Sequence, residues 1–354
     1  MTHTAAAPAD TDQHVLAEVR NGTGHLVLNR PRQLNALTAQ MYHDLKAALD
    51  AWKDDDAVRH VLVTSASDRA WCAGGDIRQV RDAVRGGQVG AATQVFAVEY
   101  ALDCLIADYP KPYVALMNGI CMGGGMGISV HGSHRVVGGS TVMAMPETKI
   151  GFFTDIGASW FLPRVSRPDR RGEPSPAVGR WLALGGQRIG GADAVALGLA
   201  DVLVADEDFP ALAAAVVEEG PAEALARYAR EPGPSPVVAR WEEIEDRYGA
   251  PTLPEIVAAA PEDLTGMSPS SLVRTFELLE RGAADGGVRS CLERELRLAA
   301  DTIARPDFAE GVRAVLVDKD NAPAWEHASV ADVDVAAVRA VLDGTLPLPL
   351  CPGP

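Results

Sequence analysis

Two acidic side chains stand alone within apolar sequence. Glu147 follows the apolar run at 141–145 by way of Pro146, and Asp155, eight residues on, sits in the segment FFTDIGASWF. Upstream, Gly123, Gly124 and Gly125 lead into Met126, Ile128 and Val130, a pattern that reads as a helix whose first turn carries no side chains. Such a helix start offers unpaired N–H groups and the positive end of a dipole to developing negative charge. With two carboxyl groups close by, the set suits thioester chemistry: an oxyanion hole for a carbonyl and an acid or base to handle water. Phosphate cradling fits poorly, because Met126-Gly127 stands where a phosphate loop needs Lys followed by Ser or Thr. By type and spacing alone, the glycines equally suit close helix packing, and the acids an ordinary helix cap and a turn.

The elements that must position these residues can be read around them. Residues 114–117, after Pro112, form a short apolar run expected to be a buried strand, and Asn118-Gly119 ends it in a turn; 141–145 reads as another strand. Near the start, 15–20 and 25–29 flank a turn at 21–24, predicting a hairpin. From Thr38 the apolar positions Met41, Leu45, Ala48 and Trp52 recur at helical spacing, 58–64 is a buried strand, and SASDRAWCAGGDIRQV runs through a loop into a helix beginning near Asp76. The opening order is therefore ββα. A helix between Gly86 and Asp108 is expected to turn most of its acids to water. His131 and His134 could share a helical face, but no third metal ligand is near, so structural roles are expected. Residues 206–265 are alanine-rich and broken by EPGPSP, with no readable motif. Ser268-Pro269 then starts a helix with Leu272, Phe276 and Leu279 on one side, and Leu292, Leu296, Ala299 and Ile303 mark another.

The composition is that of a globular protein: 354 residues, 47% hydrophobic, 23% charged, with a mean hydropathy of +0.01. A formal charge of −16 argues against a nucleic-acid surface, though local arginines could still meet a polyanionic ligand. No apolar run approaches the ~18 residues that would cross a bilayer, so no membrane partner is expected. Five cysteines with no CxxC pair suggest neither a disulfide framework nor a zinc site, and a reducing cytoplasm is the expected location. Residues 1–12 lack the features of a secretory signal and are expected to form a disordered tail.

The stretches MGGGMGISVHGSHRV, AMPET and IGFFTDIG resemble the enoyl-CoA hydratase/isomerase (crotonase) superfamily, and within it the 3-hydroxyisobutyryl-CoA hydrolase branch. LNRP, QLNAL and CAGGDI resemble it too, as does the run FAEGVRAVLVDKDNAPAW near the end, so the likeness covers roughly 15–325 and is weak over 206–265. Thr154 departs from a usual proline, and Ala158-Ser159 from common glycines. The resemblance implies an α/β fold, a crotonase-like spiral of ββα units at 13–205, followed by a mainly helical region at 206–354. It also implies hydrolysis of a short branched 3-hydroxyacyl-CoA. In that reading Gly75 and Gly124 supply the oxyanion N–H groups, Glu147 serves as general base or nucleophile, and Asp155 orients or protonates. Glu99 would meet the 3-hydroxyl of the acyl group. Ala73, Gly75 and Asp76 would lie along the coenzyme A path, with packing as the rival role for Ala73 and Asp76; Arg30, Arg32 and Arg78 are candidate phosphate partners, a solvated surface position being the default expectation at each. No metal is implied and no separate cofactor, coenzyme A being part of the substrate. Family members usually form trimers or hexamers. Two other readings stand beside this one: an enoyl-CoA hydratase, which typically carries a second glutamate where this chain has Gly127, and a catalytically silent acyl-CoA-binding protein.

Overall fold

The computed structural model describes residues 13–344; the tail expected at 1–12 and Cys351 lie outside the described residues. Strands Val15–Arg20 (β1) and Thr23–Leu28 (β2) pair antiparallel, with Val15 opposite Leu28 and Arg20 opposite Thr23. The turn is the two-residue Asn21-Gly22, tighter than the four residues expected, and both take positive φ (51° and 81°), as a type I′ reversal demands. Helix α1 (Ala39–Trp52) starts at Thr38, whose side chain accepts the Met41 N–H at 3.2 Å. Its buried face of Met41, Tyr42, Leu45, Leu49 and Trp52 follows the helical period, each full burial being worth roughly 1.5–3 kcal/mol.

Three turns of a spiral follow. His60–Ser65 (β3) and Ala70–Cys72 (β4) precede helices α2 (Ile77–Arg85) and α3 (Val89–Ala107). Tyr113–Met117 (β5) and Ile120–Met122 (β6) precede α4 (Gly124–Val130). His134–Gly138 (β7) and Val142–Ala144 (β8) precede a 3₁₀ turn at Glu147–Ile150 and the short helix α5 (Ala158–Phe161). Each turn gives one strand to each of two sheets. Helix α6 (Pro176–Gly185), strand β9 (Ile189–Gly190), helix α7 (Gly191–Ala196) and strand β10 (Val202–Val204) complete them, in the orders β1-β2-β3-β5-β7-β10 and β4-β6-β8-β9. Pairing is parallel from β2 to β10 in the first sheet, so each strand must return through a crossover, and the crossovers bring β-to-α loops to one region. This is the spiral of ββα units the resemblance implies.

The remainder is helical: α8 (Phe209–Glu219), α9 (Pro221–Tyr228), α10 (Pro236–Ala239), α11 (Trp241–Tyr248), α12 (Leu253–Ala259), α13 (Pro261–Leu264), α14 (Pro269–Ala283), α15 (Val288–Thr302), α16 (Pro306–Val312), a π turn at Arg313–Val317, and α17 (Val335–Asp343). Helices α8 and α9 cover one sheet face, where Leu212, Val216 and Leu225 pack on Leu62, Val114, Leu116 and Val136. That gives the motif-free stretch after residue 206 a structural role. By contrast α14 to α17 share one continuous core with the spiral: Leu278, Leu296, Phe308 and Leu342 belong to the same buried cluster as Leu26 and Tyr100.

Helix α3 departs from expectation twice. With 19 residues and a mean hydropathy of 1.4 over its most apolar window, it is long and apolar enough, on length and composition, to cross a membrane. Here it is packed among α1, α2, α4 and α15. Both of its acids are buried, Glu99 as the resemblance implies and Asp103 against the expectation of water. Amphipathic periodicity could not show this, because the helix is covered on several sides.

Candidate active site

Helix α4 begins where β6 ends, and Gly123 makes the corner with φ +48°. A Cβ there would stand 2.9 Å from Glu147 Oε1, so the Glu147 carboxyl lies directly against this turn. At Gly124 a Cβ would collide with Glu99 Oε1 and stand 2.8 Å from the Tyr42 hydroxyl and 3.3 Å from the Gly75 nitrogen. The Gly75 backbone is brought there by the loop after β4, which docks on the segment before α1 through Leu37 N–H to Gly74 O (2.8 Å) and Asp76 N–H to Leu37 O (2.8 Å). The Gly75 and Gly124 N–H groups make none of the backbone hydrogen bonds that hold these segments together among the described residues. Gly75 and Gly124, from separate turns of the spiral, thus lie side by side next to the Gly123 corner that the Glu147 carboxyl touches.

Ala73, Gly75, Glu99, Gly124, Glu147 and Asp155 all line one cavity of about 160 Å³. The larger groove of the molecule, about 660 Å³, lies elsewhere, beside Asp68, Asn118 and Asp206, and holds none of these groups. Sequence reasoning missed the apolar walls of the catalytic cavity, Phe96, Phe152, Val315 and Leu316; the last two come from the π turn of the helical region. Asp76, expected along the coenzyme A path, does not line this cavity. Asp76 is paired with Arg30 at 2.8 Å and faces an adjoining chamber of about 270 Å³ between α1, α2 and α3. Arg30 is thereby occupied, and also donates to Ala36 O; Arg78 donates to Leu316 O, and Arg32 is exposed. Lys149, which was not foreseen, is exposed at the cavity wall.

The acids are held by tyrosines. Tyr42 donates to Glu99 Oε1 and Tyr100 to Asp155 Oδ2, each at 2.6 Å. Glu147 Oε2 is buried without a hydrogen-bond partner among the described residues. Burial pushes Glu99 up to about 7 against the opposing Tyr42 bond. Burial also lifts Glu147 and Asp155 well above the usual carboxylate range, with the charge of Asp155 adding to the effect at Glu147 and that of Glu99 at both.

The turn that carries Asp155 is fixed from the helical region. Glu295 on α15, fully buried, accepts the Gly157 N–H at 2.7 Å and the Ser159 hydroxyl at 2.6 Å. It therefore braces Ile156, a non-glycine residue at φ +57°. The two departures from the family pattern acquire partners. Ser159 supplies the hydroxyl that Glu295 accepts, and Thr154 donates its N–H to Thr275 Oγ1 (3.2 Å) and its hydroxyl to Ala183 O (3.0 Å). Nothing local in the sequence signals Glu295, about 140 residues from Asp155, whereas Tyr100 and Asp103 lie one and four positions after Glu99, on neighbouring helical positions. His131 bonds to Ile156 O at 2.7 Å, and among the described residues no group of three or more His, Cys, Asp or Glu could hold a metal.

The two-sheet ββα spiral is accompanied by a family match: the chain belongs to the enoyl-CoA hydratase/isomerase family, whose profile matches residues 23–342. Among curated relatives it is 38% identical to the mitochondrial 3-hydroxyisobutyryl-CoA hydrolase of Danio rerio, over 90% of this chain and 86% of that one. It is 35% identical to the human enzyme of the same name, over 92% and 87%. Of solved structures, a carnitinyl-CoA dehydratase from Mycobacterium thermoresistibile superposes with a TM-score of 0.87 at 37% identity, covering 95% of this chain and 98% of that one. An enoyl-CoA hydratase from Rhodobacter sphaeroides gives 0.85 at 34%, covering 94% and 97%.

Proposed function

We propose that this protein hydrolyses a short branched 3-hydroxyacyl-CoA, with 3-hydroxyisobutyryl-CoA as the substrate that its curated relatives' names support. The observation that carries the reading is the placement of Glu147 and Asp155 around one oxyanion corner, while α4 contributes no acid of its own. The thioester oxygen sits between the Gly75 and Gly124 N–H groups. Glu147, ionised, either attacks the acyl carbon or deprotonates a water that does. In the first case the C–S bond breaks as the acyl–Glu147 anhydride forms, and the thiolate takes the Asp155 proton. Water then gives a proton back to Asp155 and its oxygen to the anhydride, freeing Glu147. The balance is thioester plus water to carboxylate, thiol and one proton.

Names of the two superposed structures favour a second reading, reversible hydration of an enoyl-CoA. Free-thiol release from 3-hydroxyisobutyryl-CoA, measured in parallel with hydration of crotonyl-CoA, separates them. Thiol release is expected; loss of the conjugated enoyl absorbance without any thiol would sink the hydrolase reading.

Glu99 supports the 3-hydroxyacyl preference. It lines the cavity against Gly124, where an added Cβ would collide with it, Tyr42 donates to one of its oxygens, and it is buried. A substrate hydroxyl would complete it, and a substrate without one leaves a buried acid short of a partner. Glu99→Ala is accordingly expected to lose much more kcat/KM on 3-hydroxyisobutyryl-CoA than on isobutyryl-CoA. Equal losses on the two thioesters would remove Glu99 from substrate selection.

A further inference from the structure

Five carboxyl groups are buried in and behind this site: Glu99, Asp103, Glu147, Asp155 and Glu295, and none forms an ion pair among the described residues. Four have a partner or face the cavity. Asp103 has neither. It is fully buried, both of its oxygens lack a hydrogen-bond partner, and it does not line the cavity. It lies one helical turn after Glu99, pressed between α3 and α4, so that a Cβ on Gly127 would stand 2.9 Å from both carboxyl oxygens and 3.1 Å from Ile156 Cβ. The space beside Gly127 is thus filled from the neighbouring helix.

An ionised carboxylate sealed there, without a donor, would carry the full cost of desolvation; a neutral carboxyl carries far less. We propose that Asp103 is a positioning residue of the hydrolytic site: a carboxylic acid kept neutral between α3 and α4, whose neutrality limits the negative charge around Asp155 and Glu99 and lets Glu147 be the group that ionises. For its kinetic consequence this rests on the hydrolase reading. The titratable groups near enough to feel the Asp103 charge are Glu99 on its own helix, Tyr42 on α1, Tyr113 on β5, Asp155 on the loop and Glu295 on α15, while α4 presents the Gly127 backbone. Burial first, then the charges of Glu99, Asp155 and Glu295, raise the Asp103 carboxyl well above the usual range.

The test uses Asp103→Asn and Asp103→Leu in the full chain. An aspartate ionises near 3.9 in an unfolded chain, and Asp103 does so far higher in the fold. Its contribution to wild-type stability is therefore complete below about pH 3.9 and lost as pH rises toward the folded value. The melting temperature of Asp103→Asn minus that of wild type should open from about pH 4 upward and reach a few degrees by pH 8; a difference that stays flat with pH overturns the proposal, with or without turnover. In thiol release, ionisation of Asp103 at alkaline pH adds negative charge beside Asp155 and makes it hold its proton more tightly, so without that charge the alkaline limb of kcat/KM should move down by roughly one pH unit in both variants. An unmoved limb overturns the positioning role even where the melting difference appears, and a limb that moves in Asn but not in a folded Leu variant does so too, because volume or hydrogen bonding would then be at work. Should Asp103→Leu fail to fold, Asp103→Asn alone decides. A wild-type chain that releases no thiol marks failure of the hydrolase reading instead, and the melting curves still report whether Asp103 is neutral.

Discussion

Glu147→Gln should lower thiol release by at least roughly 10²- to 10⁴-fold, the range for loss of a general base, and by more where Glu147 is itself the nucleophile. Glutamine keeps the volume and can still sit against the Gly123 turn, so folding and affinity for coenzyme A should be retained; calorimetry with coenzyme A and a melting curve check this. The wild-type profile adds a sign. Reaction needs Glu147 ionised, and burial together with the Asp155 charge holds its carboxyl above the ordinary range, so activity should climb with pH later than for an exposed glutamate. That acid limb should be absent from the residual rate of the glutamine variant. A variant within about tenfold of wild type, or one that keeps the same acid limb, would take Glu147 out of the bond-making step. A single turnover in ¹⁸O-water, followed by mass analysis of the peptide carrying Glu147, tests the nucleophilic role: label in the Glu147 carboxyl establishes an anhydride that water opens at the Glu147 carbonyl.

Much of this site was legible before any coordinates, for physical reasons that also explain the gaps. A triple glycine between a strand and a helix, and lone acids in apolar sequence, are local patterns, and the structure places Gly124, Glu147 and Asp155 around one cavity. Element starts were legible wherever a capping or turn residue sets them, as at Thr38 for α1 and Ser268 for α14. Contacts made by the crossovers were not. Leu37 docking on Gly75, α15 reaching back to the Asp155 turn, and the π turn walling the cavity with Leu316 depend on chain segments far apart in sequence. Periodicity on α3 predicts acids turned to water, and only the resemblance turns Glu99 inward; the helix is enclosed on several sides, and for Asp103 only the tertiary packing says so. Of the candidate phosphate partners, Arg30 holds Asp76, a pairing that joins the segment before α1 to the start of α2 and that no local pattern signals.

Gly124→Ala is the second variant expected to have a large effect, and it tests the oxyanion corner without deleting an N–H. Alanine is a better helix former than glycine, so at an open position this change would be neutral or slightly stabilising. At Gly124 the new methyl would meet Glu99 Oε1 inside any contact distance, with the Tyr42 hydroxyl at 2.8 Å and the Gly75 nitrogen at 3.3 Å. The first two belong to a buried hydrogen-bonded pair with little room to retreat, so the start of α4 must shift relative to Gly75. Two amides that must both point at one oxygen tolerate little displacement, and losing one such donor costs ~10²- to 10³-fold in kcat. A fall of that size is expected in kcat and kcat/KM alike, since the interaction is made in the transition state, with KM near wild type. Gly90→Ala, on α3 with no atom within 4 Å of its new methyl, is the matched control and should leave turnover unchanged. A folded Gly124→Ala enzyme that works within about threefold of wild type would show that the carbonyl oxygen is held somewhere other than between Gly75 and Gly124.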